Sequence, residues 1–135
     1  MAGLLLRAKS GEVALVAATA KTVLSIKAPA NQRVVIRSVR LFGVNAFSTS
    51  DKPFKVRLTK SAANFGTGTA VTPTKITENA NETVQSTAAA NYTVEPTSPS
   101  DLNFEWEVSP QSGIIEPFPP DRAIVIPGGS QYNFE

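Results

Sequence analysis

Asp101-Leu102-Asn103-Phe104-Glu105-Trp106-Glu107-Val108 alternates strictly, with Leu102, Phe104, Trp106 and Val108 interleaved with Asp101, Asn103, Glu105 and Glu107. Successive side chains of a β-strand point to opposite faces, so this stretch reads as a strand with one apolar and one acidic face. The apolar face carries two large rings and is expected to form the aromatic core. Trp106 belongs to that series, which makes it a core residue rather than a platform for stacking a sugar.

The same period recurs to either side. Phe54, Val56 and Leu58 are expected to face inward, with Lys55, Arg57 and Thr59 outward. From Gln32 a longer alternation points Val34, Ile36 and Phe42 one way and Arg33 and Arg37 the other, with Val39 and Leu41 partly on the second side. Arg40 then falls on the apolar side, which predicts either a bulge near Ser38 or a face that is only half buried. Shorter strands are expected at residues 13–18, 22–27, 123–126 and 132–134, the last two joined as a hairpin through Pro127-Gly128-Gly129-Ser130. Residues 45–53 read as a turn-rich connection. Residues 61–100 are rich in Ala, Thr, Asn and Ser and poor in large apolar side chains, so they are expected to lie largely on the surface. Short strands could sit there at 83–87 and 91–95, and Gly66-Thr67-Gly68-Thr69 reads as a turn.

With ten Pro, eight Gly and no sustained helical period in 135 residues, these elements predict an all-β chain. The expected architecture is a single-domain β-sandwich of jelly-roll type. Residues 1–12 form an N-terminal arm and residues 13–135 the sandwich, with 61–100 as a surface excursion. Leu4-Leu5-Leu6 followed by Arg7 and Lys9 suits a strap laid into a groove on a neighbour; the alternative is a first strand in the chain's own sheet.

The chain contains no His and no Cys, which removes imidazole bases, thiolate nucleophiles and the common zinc constellations. Glu105 and Glu107 would project from one face at roughly 7 Å, a spacing glycoside hydrolysis can use. Alternating acids are also the ordinary dress of a solvated strand face, so no catalytic residue, cofactor or metal site is assigned. No apolar run approaches the length of a membrane span, and Arg7 and Lys9 interrupt the leucines too early for a signal-peptide core. A soluble protein made inside a cell is expected, with no membrane partner.

The net charge of +2 conceals a polarity along the chain. Residues 1–75 hold twelve Lys or Arg against Glu12 and Asp51, and residues 76–135 hold nine acids against Arg122. Such a chain favours pairing its halves, within one copy or between copies, over lining one face for a polyanion. Arg33, Arg37, Lys55 and Arg57 could bind phosphate, yet the rings that would stack bases, Phe42 and Phe54, are expected on the other face, so no nucleic-acid partner is assigned. Their expected counterparts are Glu105 and Glu107, within a subunit or across an interface. Asn81-Glu82-Thr83 and Asn91-Tyr92-Thr93 match the glycosylation pattern and receive no role.

The order of "KTVLSIKAPANQRVVIRSVRLFGVNA" (residues 21–46), "FKVRLTK" (54–60), the Gly-Thr-Gly-Thr excursion and the closing "EVSPQSGIIEPFP…IVIPGGSQYNF" resembles a small capsid decoration, or cement, protein of tailed bacteriophages. The resemblance implies a jelly-roll module that trimerises on the capsid exterior, made in the host cytoplasm, with the major capsid protein of a phage shell as partner. It implies no catalytic residue. Residues 1–12 would match the arm, with Leu4, Leu5, Leu6, Arg7 and Lys9 as capsid contacts, and 109–113 a hairpin turn. The alternative is a carbohydrate- or receptor-binding module of a phage tail or fibre.

Overall fold

The computed structural model describes residues 4–16, 18–43, 53–76, 83–97, 99–109 and 112–135. All but Pro53 of the connection expected at 45–53 lies outside them, as do Asn81, Glu82, Pro110 and Gln111. The described chain forms twelve strands: β1 Leu6–Arg7, β2 Leu24–Lys27, β3 Val34–Ile36, β4 Ser38–Leu41, β5 Phe54–Ser61, β6 Thr67–Val71, β7 Thr74–Lys75, β8 Thr87–Val94, β9 Ser100–Val108, β10 Ile114–Pro117, β11 Ile124–Ile126 and β12 Gln131–Phe134. A single 3-10 turn, Pro120–Arg122, follows β10. The fold is all-β, a β-sandwich.

One layer is a six-stranded antiparallel sheet ordered β6-β8-β2-β12-β5-β9. The other is a bent ribbon. β3 pairs with β11 (Ile124↔Ile36 to Ile126↔Val34) and β4 with β10 (Ile114↔Leu41 to Pro117↔Ser38). Phe118 N–H donates to Arg37 O at 2.7 Å, so the two ladders continue one another, and residues 119–123 loop out opposite the break at Arg37. The strands therefore divide unequally between the layers, where a regular jelly roll shares them evenly.

The break at Arg37 answers the misplaced Arg40. It resets the alternation, so Ile36, Val39 and half-buried Leu41 all face the core, and Arg40 and Phe42 are exposed. The inward placement of Phe42 is thereby corrected, as is the outward placement of Val39 and Leu41. The interruption lies one residue before the expected Ser38.

Between the layers, Val56, Leu58, Trp106, Val108, Tyr132 and Phe134 of the sheet meet Ile36, Val39, Phe118 and Ile126 of the ribbon side. Trp106 is 5% exposed, and its ring packs at centroid distances of 5.3 Å from Phe104 and 6.1 Å from Phe134. Two polar contacts tie the layers. Trp106 Nε1–H donates to Glu116 Oε2, and Tyr132 O–H donates to Val125 O at 2.8 Å. A buried indole or phenol finds a partner in this way because an unmade bond there is costly.

Further expectations are corrected. Residues 127–130 do not close a hairpin: β11 pairs with β3, whereas β12 enters the sheet between β2 and β5. Residues 67–69 are strand rather than turn. Thr59 keeps the side of β5 that Lys55 and Arg57 share but is buried there, where its Oγ1 accepts from Asn133 Nδ2. The chain from residue 61 to 100 supplies β6 and β8 to the main sheet, with Ala88, Ala90 and Tyr92 buried. Residues 13–16 form no strand.

Trp106→Ala should lower unfolding free energy by about 3–5 kcal/mol in denaturant titration, the cost of deleting a large buried aromatic. Burial raises the Tyr132 hydroxyl above its usual value. The folded chain thus holds that proton more tightly than the unfolded one; the associated stability is full below pH about 10 and is lost as pH climbs through the raised value. Melting temperatures of Tyr132→Phe should accordingly fall less than those of the parent between pH about 9 and about 11.

Candidate interaction surfaces

The sheet's second face is buried and polar. Ser25, Thr59, Ser61, Gln131 and Asn133 share it, each 4% exposed or less. Asn133 Nδ2 donates to Thr59 Oγ1 and Ser61 Oγ, both at 3.1 Å, and Gln131 Nε2 donates to Asn133 Oδ1 at 2.7 Å and Tyr92 Oη at 3.1 Å. Tyr92 reaches this face because Asn91 takes φ +49° and bulges β8, leaving the phenol hydrogen-bonded to Ser25 Oγ. A Cβ on Gly68 would stand 2.7 Å from the Tyr92 ring, so only glycine admits that ring. Among the described residues no buried side-chain polar atom lacks a partner, which marks this layer as structural.

Farther along the same face the groups become charged and exposed. Arg57 Nη2 lies 2.6 Å from Glu135 Oε1, and Lys55 Nζ lies 3.7 Å from Glu107 Oε1. The Glu135 hydrogen bond, with that carboxylate's field and those of Asp101 and Glu105, raises the Arg57 guanidinium's affinity for its proton. Arg57 stands opposite Glu105 in the ladder but pairs with Glu135. Glu105 and Glu107 thus decorate an open sheet surface beside Arg57 and Lys55. β9 is the last strand of its sheet, so Ser100–Val108 forms an outer edge.

Arg33 and Arg37 lie elsewhere. They belong to the ribbon, on the opposite side of the sandwich, and the structure brings neither to Glu105, Glu107, Lys55 or Arg57. On the ribbon's outer face Val35 and Val125 sit directly opposite one another, 39% and 41% exposed, with Ile115 at 57% and Phe42 at 55%. Phe42 lies over Gly113, whose φ of +73° and absent Cβ leave room for the ring. Exposed Arg33, Arg37 and Arg40 border these residues, with Arg122 and Asp121 on the adjoining 3-10 turn. Arginine and apolar side chains combined in one open patch are typical of protein interfaces. Sequence reading missed this patch because it carried one alternation through Arg37; residues 118–123, with Pro119 and Pro120, were the signal that the partner strand is interrupted there.

The N-terminal arm lies outside both layers. β1 pairs only with β7 (Leu6↔Lys75, Arg7↔Thr74), and Ile76 N–H donates to Leu5 O at 2.9 Å. Leu4 and Leu6 are half-buried; Leu5, Arg7 and Lys9 are exposed, as are Ile76, Leu15 and Val16. The chain enters the sandwich at Thr22, whose N–H donates to both oxygens of the Glu95 carboxylate, at 3.0 and 2.9 Å. An open groove of about 380 Å³ beside β2 is lined by Lys27, Pro29, Phe65, Gln85 and Thr87, with Lys27 Nζ held 3.9 Å over the Phe65 ring. Among the described residues no three His, Cys, Asp or Glu side chains gather as metal ligands.

No protein-family model, curated protein or solved structure matches the chain. Gly68→Ala should cost about 1–3 kcal/mol in equilibrium unfolding, because the added methyl meets the Tyr92 ring in a closed layer.

Proposed function

We propose that the protein is a non-enzymatic structural component of a phage virion, which decorates the capsid exterior and stabilises it by bridging shell subunits. The observation that carries this reading is the arm. Leu5, Leu15 and Val16 are exposed on a segment whose ladder with the rest of the chain is two residue pairs long. Exposed apolar side chains on a weakly held segment gain free energy by docking into a groove on another protein, while Arg7 and Lys9 meet acids at its rim. A molecule that binds the assembled shell and not the dispersed subunits stabilises the shell by mass action.

The sugar-binding alternative needs exposed rings on which a sugar can stack. Trp106, Tyr92 and Tyr132 are buried, and Phe42 is the one exposed aromatic among the described residues.

Particles lacking the protein should take it up in cosedimentation and then resist heating better. Deletion of residues 2–9 removes the short β1–β7 ladder and the Ile76–Leu5 bond beside it from the described hydrogen bonding, so the shortened chain should melt near the parent temperature and no longer cosediment with shells. Undiminished uptake of the folded deletion variant would exclude the arm as the capsid contact, and absence of uptake by the full chain would exclude the decoration role.

A further inference from the structure

We infer that copies of this chain associate head to tail, the arginine-bordered ribbon face of one seated on the acidic β9 edge of the next. The inference rests on the reading of the protein as an assembly component but uses surfaces other than the arm.

Three observations carry it. The first is chemical complementarity. The ribbon's outer side presents Arg33, Arg37, Arg40 and Arg122 against one carboxylate, Asp121. The β5–β9 side presents exposed Asp101, Glu105 and Glu107 against Lys55, while Arg57 is engaged by the largely buried Glu135. Each surface has what the other lacks, and fields of opposite sign both attract and orient two approaching copies. The second is placement. The ribbon's outward residues and the acids of β9 both point away from the shared core, from opposite sides of the sandwich, so they cannot satisfy one another within a copy. Among the described residues Arg33, Arg37 and Arg40 have no carboxylate within ion-pair distance, and Glu105 has no Lys or Arg within it. The third is the open strand edge. Among the described residues β9 is the longest strand and no strand pairs with its outer side, and a long edge of that kind invites another chain. Glu105, Glu107 and the irregularity opposite Leu58 and Thr59 restrict which chain can approach it. Val35, Val125 and Ile115 add apolar area to the contact, and Arg40, directly opposite Ile115 in the ladder, supplies the adjoining charge.

Two different patches in contact make the association heterologous, so it closes into a ring where the rotation between copies allows and otherwise extends. A trimer is one such ring.

Two charge-reversed variants test this. One carries Arg33→Glu and Arg40→Glu on the ribbon, the other Glu105→Lys and Glu107→Lys on β9. All four sites are exposed, and melting curves establish that each variant is folded. In sedimentation equilibrium at tens of micromolar and low salt, the parent should exceed the monomer mass of 14.3 kDa. Each variant alone should associate about ten-fold more weakly or worse, because like charges are then juxtaposed. An equimolar mixture should associate more tightly than either variant alone, since either contact between unlike variants pairs opposite charges, whereas an odd-membered ring cannot alternate the two and need not reform. A monomeric parent, variants that associate like the parent, or a mixture that associates no better than its components would each overturn the inference. A monomeric parent that still cosediments with shells would leave the decoration role standing, and a self-associating chain without affinity for shells would remove that role alone.

Discussion

The last strand of the chain is the middle of its main sheet. β12 lies between β2 and β5, and all four of its residues are buried. Tyr132 and Phe134 enter the apolar core, while Gln131 and Asn133 enter the polar layer behind it. Until β12 is in place, β8 and β2 on one side and β5 and β9 on the other have no common ladder. Reciprocal backbone bonds between Arg57 and Glu135, at 2.8 and 2.9 Å, extend the pairing past the strand's end, and the Arg57–Glu135 ion pair closes it. The sheet is thus assembled from contacts distant in sequence, a topology that folds slowly because loop closure precedes its reward.

A central strand buried on both sides needs two kinds of interior, and the sheet has them. On the ribbon side, close packing of Leu58, Trp106, Val108, Ile126 and Phe134 supplies hydrophobic stabilisation. On the other side, hydroxyl and amide groups satisfy one another across β5, β12, β2 and β8. Net stabilisation per such bond is modest, about 0.5–1.5 kcal/mol, but leaving one unmade is expensive. The polar layer therefore acts on register. A slip of one residue in β12 would place Gln131 and Asn133 against Leu58 and Trp106 and strand their amides, so the alternation Gln-Tyr-Asn-Phe admits one pairing.

The sequence disclosed a strand wherever its alternation was local and unbroken. Residues 101–108 and 54–58 fold as read, since one apolar face against one charged face has a single solution. Arg37 shows where such reading stops. Its neighbours on both sides alternate, but the phase between them depends on Phe118 and the loop at 119–123, some eighty residues away in sequence and invisible to a local pattern. Phe42, Val39 and Leu41 were misassigned for that one reason. The hairpin expected at 127–130 failed differently: the turn residues are present, and the competition for β12 was won by β2 and β5. The Asn91 bulge was illegible, because a left-handed asparagine in an Ala- and Thr-rich stretch declares itself only through the tyrosine it redirects. Of the charged residues singled out, Lys55, Arg57, Glu105 and Glu107 do share one face, as cross-strand neighbours must. Arg33 and Arg37 could not be separated from them by charge alone.

That separation turns the polarity of the sequence into a property of the surface. The cations of residues 33–40 and the acids of residues 101–107 belong to strands whose apolar faces both meet the same core, so their charged faces must point in opposite directions. Packed sheets stand about 10 Å apart and the outward side chains extend farther on each side, beyond the Debye length of about 8 Å at physiological salt. The two faces therefore do little to neutralise one another within a copy. The ion pairs on the sheet's outer side join Lys55 and Arg57 to acids of their own face, and the pair formed by side chains as exposed as Lys55 and Glu107 contributes only about 0–1 kcal/mol. The inward alternation that builds the core is what keeps the two charged faces apart. What remains is a thin body, cationic and partly apolar on one side and anionic on the other, whose charge is compensated by whatever lies next to it.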